Sequence, residues 1–222
     1  MLLSALAILW LGEFTAVDML LARAAYDPVL REFPWRHAWL AETVGHGLLR
    51  DLCVAAGAMV IAVTLYDARF GLFGAWVRLR MRFLALCAVL VPLSVSAAKQ
   101  ASSLSCPWDL RAFNGTQPYF RLLDSIPHGA HAGHCWPGGH ASGFLWILGI
   151  VVFWLPHRPR HAAVVAVLVL AAGLGVGWIQ QLRGAHFLSH TLWSMWIASA
   201  VTALLWHVLD GAYARARSGS GP

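Results

Sequence analysis

Charged side chains are scarce in this chain. Asp, Glu, Lys and Arg make up 12% of its 222 residues, against roughly a quarter in soluble domains, while 59% are hydrophobic and the mean hydropathy is +0.64. That shortage excludes a soluble globular domain, because apolar runs of this length need a hydrocarbon surround. Acidic residues are the rarer sign, 10 against 16 basic ones, for a formal net charge of +6. No basic stripe with interleaved aromatics occurs, so the charge does not point to a nucleic-acid partner; it is read as membrane topology and anionic ligands. The N-terminus has no basic n-region and no small-residue cleavage site, and Glu13 and Asp18 interrupt its apolar run, so it reads as a retained first helix. An inverted repeat is missing, which weighs against a transporter. Nothing in the tail suggests a second, soluble domain.

Against these absences stand the apolar runs. A spanning helix takes about 20 mostly apolar residues, and scanning at that length gives six candidates, at about 1–23, 47–66, 83–98, 140–156, 162–181 and 188–208. The expected fold is all-α: one integral membrane domain over residues 1–222, with both termini on the same side. The links carrying Arg69, Arg78, Arg80 and Arg82, then Arg158 and Arg160, and the tail with Arg215 and Arg217, are cytoplasmic by the positive-inside rule, and the termini go with them. Basic residues on the opposite links (Arg31, Arg36, Lys99, Arg111, Arg121, Arg183) then need a reason to face outward, and anion binding supplies one. The Trp and Arg spacing of residues 33–40 suits a short interfacial helix. Asp18 and Glu13 should face the bundle interior with partners.

Three pieces of sequence carry chemistry. The first is the turn from Cys135 to Gly143, where Gly138 and Gly139 let the backbone approach a ligand and His140 opens the next helix, an arrangement suited to an anion. The second is the outer link over residues 99–139, the longest polar segment, which begins at Lys99 and holds His128, His131 and His134. The third is Arg183-Gly184-Ala185-His186, followed by His190, four residues on and so on the same helix face. The topology brings Lys99, His140 and His186 to one side of the membrane. There a Lys and Arg pair would hold a phosphate, one histidine would attack phosphorus and a second would protonate the leaving oxygen. A metal or haem reading stays open, since His128-x2-His131-x2-His134 and His186-x3-His190 have spacings that ligands use. Cys53 and Cys87 fall in apolar segments; Cys106 and Cys135 near the ends of the outer link are either a disulfide, if that side is oxidising, or two free thiols.

These residues resemble the motifs of the type-2 phosphatidic acid phosphatase superfamily, whose members include membrane lipid phosphatases, soluble acid phosphatases and vanadium haloperoxidases. Its motifs K-x6-R-P, P-S-G-H and S-R-x5-H-x3-D compare with Lys99-x6-Cys106-Pro107, Pro137-Gly138-Gly139-His140 and His186-x3-His190. The resemblance implies a six-helix core with His186 as the nucleophile that forms a phosphohistidine and His140 as the general acid. It further implies that Lys99 with the Gly138 and Gly139 backbone cradles the phosphate, and that no metal or other cofactor takes part. The implied partner is a membrane lipid bearing a phosphate or diphosphate, such as the 1-phosphate of lipid A, undecaprenyl diphosphate or phosphatidate, met at the periplasmic face of a bacterial inner membrane. Hydrolysis and phosphotransfer between lipids are both open, as is the oligomeric state. The chain departs from the pattern at Cys106 and Gln180, where the family has Arg, at Gly138, where it has Ser, and at His190, where it has the Asp that orients the nucleophile. Arg183, one helical turn from the usual site, is expected to supply the missing guanidinium, and neutral His190 to accept a hydrogen bond from His186. Cys106 at the lost Arg position favours the bridge to Cys135, which would tie the first motif beside the second.

Overall fold

Hydrocarbon offers backbone N–H and C=O groups no partner, so apolar runs of this kind satisfy themselves as helices. The computed structural model describes residues 1–127, 129 and 132–218, with the backbone alone for residues 44–46, 140–141 and 210–218, and no strand occurs among them. The helices are α1 (Leu2–Phe14), α2 (Val17–Ala25), α3 (Leu49–Phe70) behind a π-helical lead-in (Leu40–Leu48), α4 (Ala75–Gln100), α5 (Gly139–Leu145) continued as a 3-10 helix (Trp146–Phe153), α6 (Pro159–Leu182) and α7 (Leu188–Ser218). This is a multi-pass membrane protein. Helices α3, α4, α6 and α7 are long and apolar enough to cross, and α1 with α2, bent by 65°, makes a fifth when counted as one span.

Two of the six expected spans take another form. The first is broken between Phe14 and Val17, where the carbonyls of Glu13 and Thr15 find a partner in the Arg121 guanidinium from the long loop. A charged donor there answers for backbone groups that the helix leaves open. The fourth is short: seven α-helical residues and eight in 3-10 geometry. Their combined rise is about 26 Å, somewhat less than the ~30 Å of a hydrocarbon core.

The arginines assigned to a cytoplasmic link are largely helical. The turn between α3 and α4 is only residues 71–74, closed by Asp67, which accepts from Phe73 N at 2.7 Å and Arg78 Nε at 2.9 Å. Arg80 is buried, lies 3.9 Å over the Trp76 ring and donates to the carbonyls of Val152 (3.0 Å) and Leu155 (2.6 Å). It thereby adds a donor to the Val152 carbonyl, which also accepts from Leu155 N at 3.2 Å, and one to Leu155 O just past the 3-10 helix, where a cation is also favoured by the helix dipole.

Two cores hold the bundle. One joins α4, α5 with its 3-10 extension, and α7 through Phe83, Val91, Leu145, Trp146 and Val152. The other lies beside the candidate site and is aromatic: Phe33, Phe113 and Phe187 with Tyr26 and Tyr119, the first two 5.3 Å from each other and from Tyr26. This second core explains why residues 33–40 form no interfacial helix. Phe33 is drawn inward against the α6–α7 turn, and the chain around it turns tightly, leaving Trp35 and Trp39 exposed. It also orders the long loop, whose 3-10 turns Pro107–Asp109 and Arg111–Phe113 pack into it.

Gly184 fixes the α6–α7 turn. Its φ is +74°, and a Cβ built on it would lie 2.4 Å from the Phe33 ring. A left-handed alanine costs about 1–2 kcal/mol before any collision, and overpacking adds a similar amount. Gly184→Ala is therefore expected to lower the melting temperature of the purified protein markedly, whereas Gly143→Ala, whose new Cβ meets nothing within 4 Å, should leave it unchanged or slightly raised.

Candidate active site

The third motif is shaped by a helix stop and a helix start. Gly184 reverses the chain after α6, with Gly184 N donating to Gln181 O and Ala185 N to Gln180 O, both at 2.9 Å. Helix α7 then starts at Leu188, and Asp18 from α2 serves as its cap: Ser189 donates to the two carboxylate oxygens from its backbone N (3.0 Å) and its hydroxyl (2.5 Å). A carboxylate at a helix N-terminus meets both the open amides and the positive end of the dipole. His186 is thus held in the turn and His190 in the first turn of α7, both buried, their ring centroids 5.9 Å apart.

The second motif is stapled to the third. Gly138 N donates to His190 O at 3.0 Å, and the Ser194 hydroxyl donates to the carbonyls of Gly138 (2.9 Å) and His190 (3.0 Å). A Cβ on Gly138 would sit 3.5 Å from His190 O and 3.7 Å from His186 Cδ2. The Gly138 amide is already committed to His190, so this residue positions the turn rather than offering its own N–H to a phosphate. Lys99, at the end of α4, brings in the first motif: its Nζ lies 3.6 Å from where a Gly139 Cβ would be.

The disulfide expected between Cys106 and Cys135 is present, with a Cα–Cα distance of 5.2 Å. Its Cys135 Sγ lies 3.1 Å from Ala185 O and 3.5 Å from His186 Nδ1. A disulfide sulfur carries no proton and can only accept. A neutral His186 that uses this contact holds its proton on Nδ1 and presents Nε2 as the basic nitrogen.

Lys99, Gly138, Gly139, His186, His190, Cys106 and Cys135 therefore converge from three separate parts of the chain. His140 adjoins them through its backbone at the start of α5; its side chain lies outside the described residues. Two expectations change. His190 does not take the place of the orienting carboxylate: its ring bonds the Cys135 backbone, and its Nδ1 has no partner among the described residues. Arg183 does not point at the glycine turn. It donates to Gln180 Oε1 (2.9 Å) and Arg36 O (3.3 Å), and burial pushes its pKa below the ordinary value.

Among the described residues the metal reading finds no suitable donor set. His128 and His131 lie outside the described residues, and the His134 ring faces Lys99 O at 3.3 Å. The one cluster of potential ligands among the described residues is Cys106, Cys135 and His186. Two of these three are joined in the disulfide and have no thiolate to offer a metal.

Asp18 and Ser194 were not identified as parts of the site in the sequence. Asp18 reads only as a buried acid in need of a partner, since its partner is 171 residues away; Ser194 looks like any small polar residue on a helix. The model of the PAP2 superfamily matches residues 80–213, a stretch that includes all three motifs. No curated protein and no solved structure matches the chain.

Proposed function

The chain belongs to the PAP2 superfamily, whose members are generally phosphatases, and from that premise we propose that it is a membrane phosphatase releasing phosphate from a lipid phosphate or diphosphate through a phosphohistidine on His186. The observation that carries the reading is the meeting of Lys99, the Gly138–Gly139 turn and His186, from the end of α4, the start of α5 and the α6–α7 turn.

In the first step His186 Nε2 attacks phosphorus and the bond to the lipid oxygen breaks, with His140 donating a proton to the departing oxygen. In the second, water attacks the phosphohistidine, His140 takes its proton, the P–N bond breaks and phosphate leaves. The Lys99 ammonium and the Gly139 backbone stand beside the non-bridging oxygens, where charge builds in both transition states. A second lipid hydroxyl in place of water would turn hydrolysis into phosphotransfer. Counting the bent pair as one span and the short α5 with its 3-10 extension as another gives six. Both termini then lie on the cytoplasmic side and the site faces outward, in a bacterial envelope the periplasm, where the disulfide is chemically at home.

The test is phosphate release by the purified protein from a panel of lipid phosphates, with and without EDTA. Chelator-resistant release is expected, and Lys99→Met should cut kcat/KM by about 10- to 1000-fold. Release that EDTA abolishes, or none from any lipid, contradicts the proposal.

A further inference from the structure

The two ends of the disulfide differ in exposure. Cys135 is buried, whereas Cys106 is half-buried, so a reagent meets Cys106 first. The sulfurs also have a neighbour. One potential ligand atom from each of Cys106, Cys135 and His186 lies within 4.8 Å of the other two, and Cys135 Sγ is 3.5 Å from His186 Nδ1. A tetrahedral zinc bound by a thiolate and an imidazole holds its sulfur and nitrogen about 3.6 Å apart. This pair therefore already has the spacing of two zinc ligands. Only the bond between the sulfurs keeps the three residues from binding a metal, because a disulfide has no thiolate to give.

A dithiol reductant opens that bond in two exchanges. Its first thiolate attacks Cys106 Sγ, the S–S bond breaks, and Cys135 leaves as a thiolate beside the His186 Nδ1 proton, which stabilises it. The reductant's second thiolate then displaces the Cys106 sulfur, so the protein gains two thiols and the reductant becomes a disulfide. Zn²⁺ takes the place of the two thiol protons. Its charge cancels that of the two thiolates, so no net charge is added near Lys99. His186 completes three protein ligands, with a fourth position for water. The sulfurs of such a site lie about 3.8 Å apart, a separation that two cysteines with Cα atoms 5.2 Å apart reach by side-chain rotation.

We propose that Cys106, Cys135 and His186 form a zinc site in the reduced protein, and that zinc bound there silences the nucleophile. The site stands on the geometry alone; its effect on turnover rests on the lipid phosphatase reading. That effect follows from which nitrogen the metal takes. Beside the disulfide a neutral His186 holds its proton on Nδ1 and its lone pair on Nε2. Zinc on Nδ1 reverses this, because the neutral ring then holds its proton on Nε2 and has no lone pair there to attack phosphorus. The bridge thus keeps metal from the histidine as well as joining the first two motifs.

The test is titration of the purified protein with Co²⁺ as a spectroscopic probe and then with Zn²⁺, before and after treatment with dithiothreitol that is removed without oxygen. Circular dichroism and phosphate release are measured on the same samples. The reduced protein is expected to bind a single Co²⁺ with the visible bands of a tetrahedral site and a near-ultraviolet thiolate band, and Zn²⁺ should displace it. The oxidised protein, and the variant combining Cys106→Ser with Cys135→Ser, should show neither band. His186→Ala should weaken binding by the reduced protein roughly tenfold or more, and Cys53→Ser should leave it unchanged. Zn²⁺ should abolish the phosphate release that the reduced protein retains and EDTA should restore it, with the oxidised protein indifferent to both. The site is overturned by a reduced protein that keeps its helices without a thiolate band, by loss of helices on reduction, by equal binding to the oxidised protein, or by binding that His186→Ala leaves intact. Bands accompanied by release that Zn²⁺ does not touch overturn the silencing. Bands without phosphate release from any lipid leave the site standing and remove the phosphatase reading; release from a reduced protein that lacks the bands does the reverse.

Discussion

His186→Ala is expected to abolish phosphate release, by on the order of a thousandfold or more in kcat. The chemistry routes every turnover through a bond from this nitrogen to phosphorus. His190 is turned to the Cys135 backbone, so it is not placed to substitute. Lys99 and the glycine turn remain in the variant, so substrate binding should persist and KM should change little, the pattern of a group used only in the transition state. His140→Ala is predicted to differ in kind. It should lose about a hundred- to ten-thousandfold on ordinary lipid esters, but much less in the first step with a leaving group that needs no proton. Steady-state kinetics with an alkyl and a nitrophenyl phosphate separate the two. A His186→Ala protein retaining a tenth of wild-type kcat is incompatible with the proposed mechanism.

The disulfide carries the second large effect. Cys106 and Cys135 are 29 residues apart in sequence, and a crosslink closing a loop of that size stabilises by about 3–4 kcal/mol through the unfolded chain. For a protein of this length that corresponds to roughly 10 °C in melting temperature. A local effect adds to the global one, since Cys135 Sγ lies against His186 Nδ1 and Ala185 O. Without the bridge the first and second motifs are no longer joined, and the nucleophile loses its neighbour. Cys106→Ser with Cys135→Ser, or treatment with a reductant, should therefore lower activity more than tenfold at a temperature where the protein is still folded. The buried thiols Cys53 and Cys87 lie away from this contact, and Cys53→Ser should leave the redox dependence intact. Equal activity with and without the bridge would show that it serves stability alone.

What the sequence revealed of the fold followed from its strongest signals. Hydropathy located α3, α6 and the membrane part of α7 within a few residues, because long apolar helices are self-sufficient in lipid. It missed the break after Phe14, which depends on Arg121 reaching the Glu13 and Thr15 carbonyls from more than a hundred residues away. It placed the start of α4 too late, because the charges of Arg78 and Arg80 look like a loop until Asp67 and the Val152 and Leu155 carbonyls are seen to receive them. In the site, the motif spacing was enough to bring Lys99, the glycine turn and His186 together. The resemblance also led to the Cys106–Cys135 bridge. It could not determine the directions of Arg183 and His190, since each is decided by a tertiary carbonyl, of Arg36 in one case and Cys135 in the other.

The most direct measurement is to quench the protein during turnover of a lipid bearing isotopically labelled phosphate and to ask where covalent phosphate resides. The predicted result is a phosphoryl group that is labile in acid, stable in base and mapped to the peptide containing His186, absent in His186→Ala and longer-lived in His140→Ala. Covalent phosphate on another residue, or turnover with none trapped in His140→Ala, contradicts it.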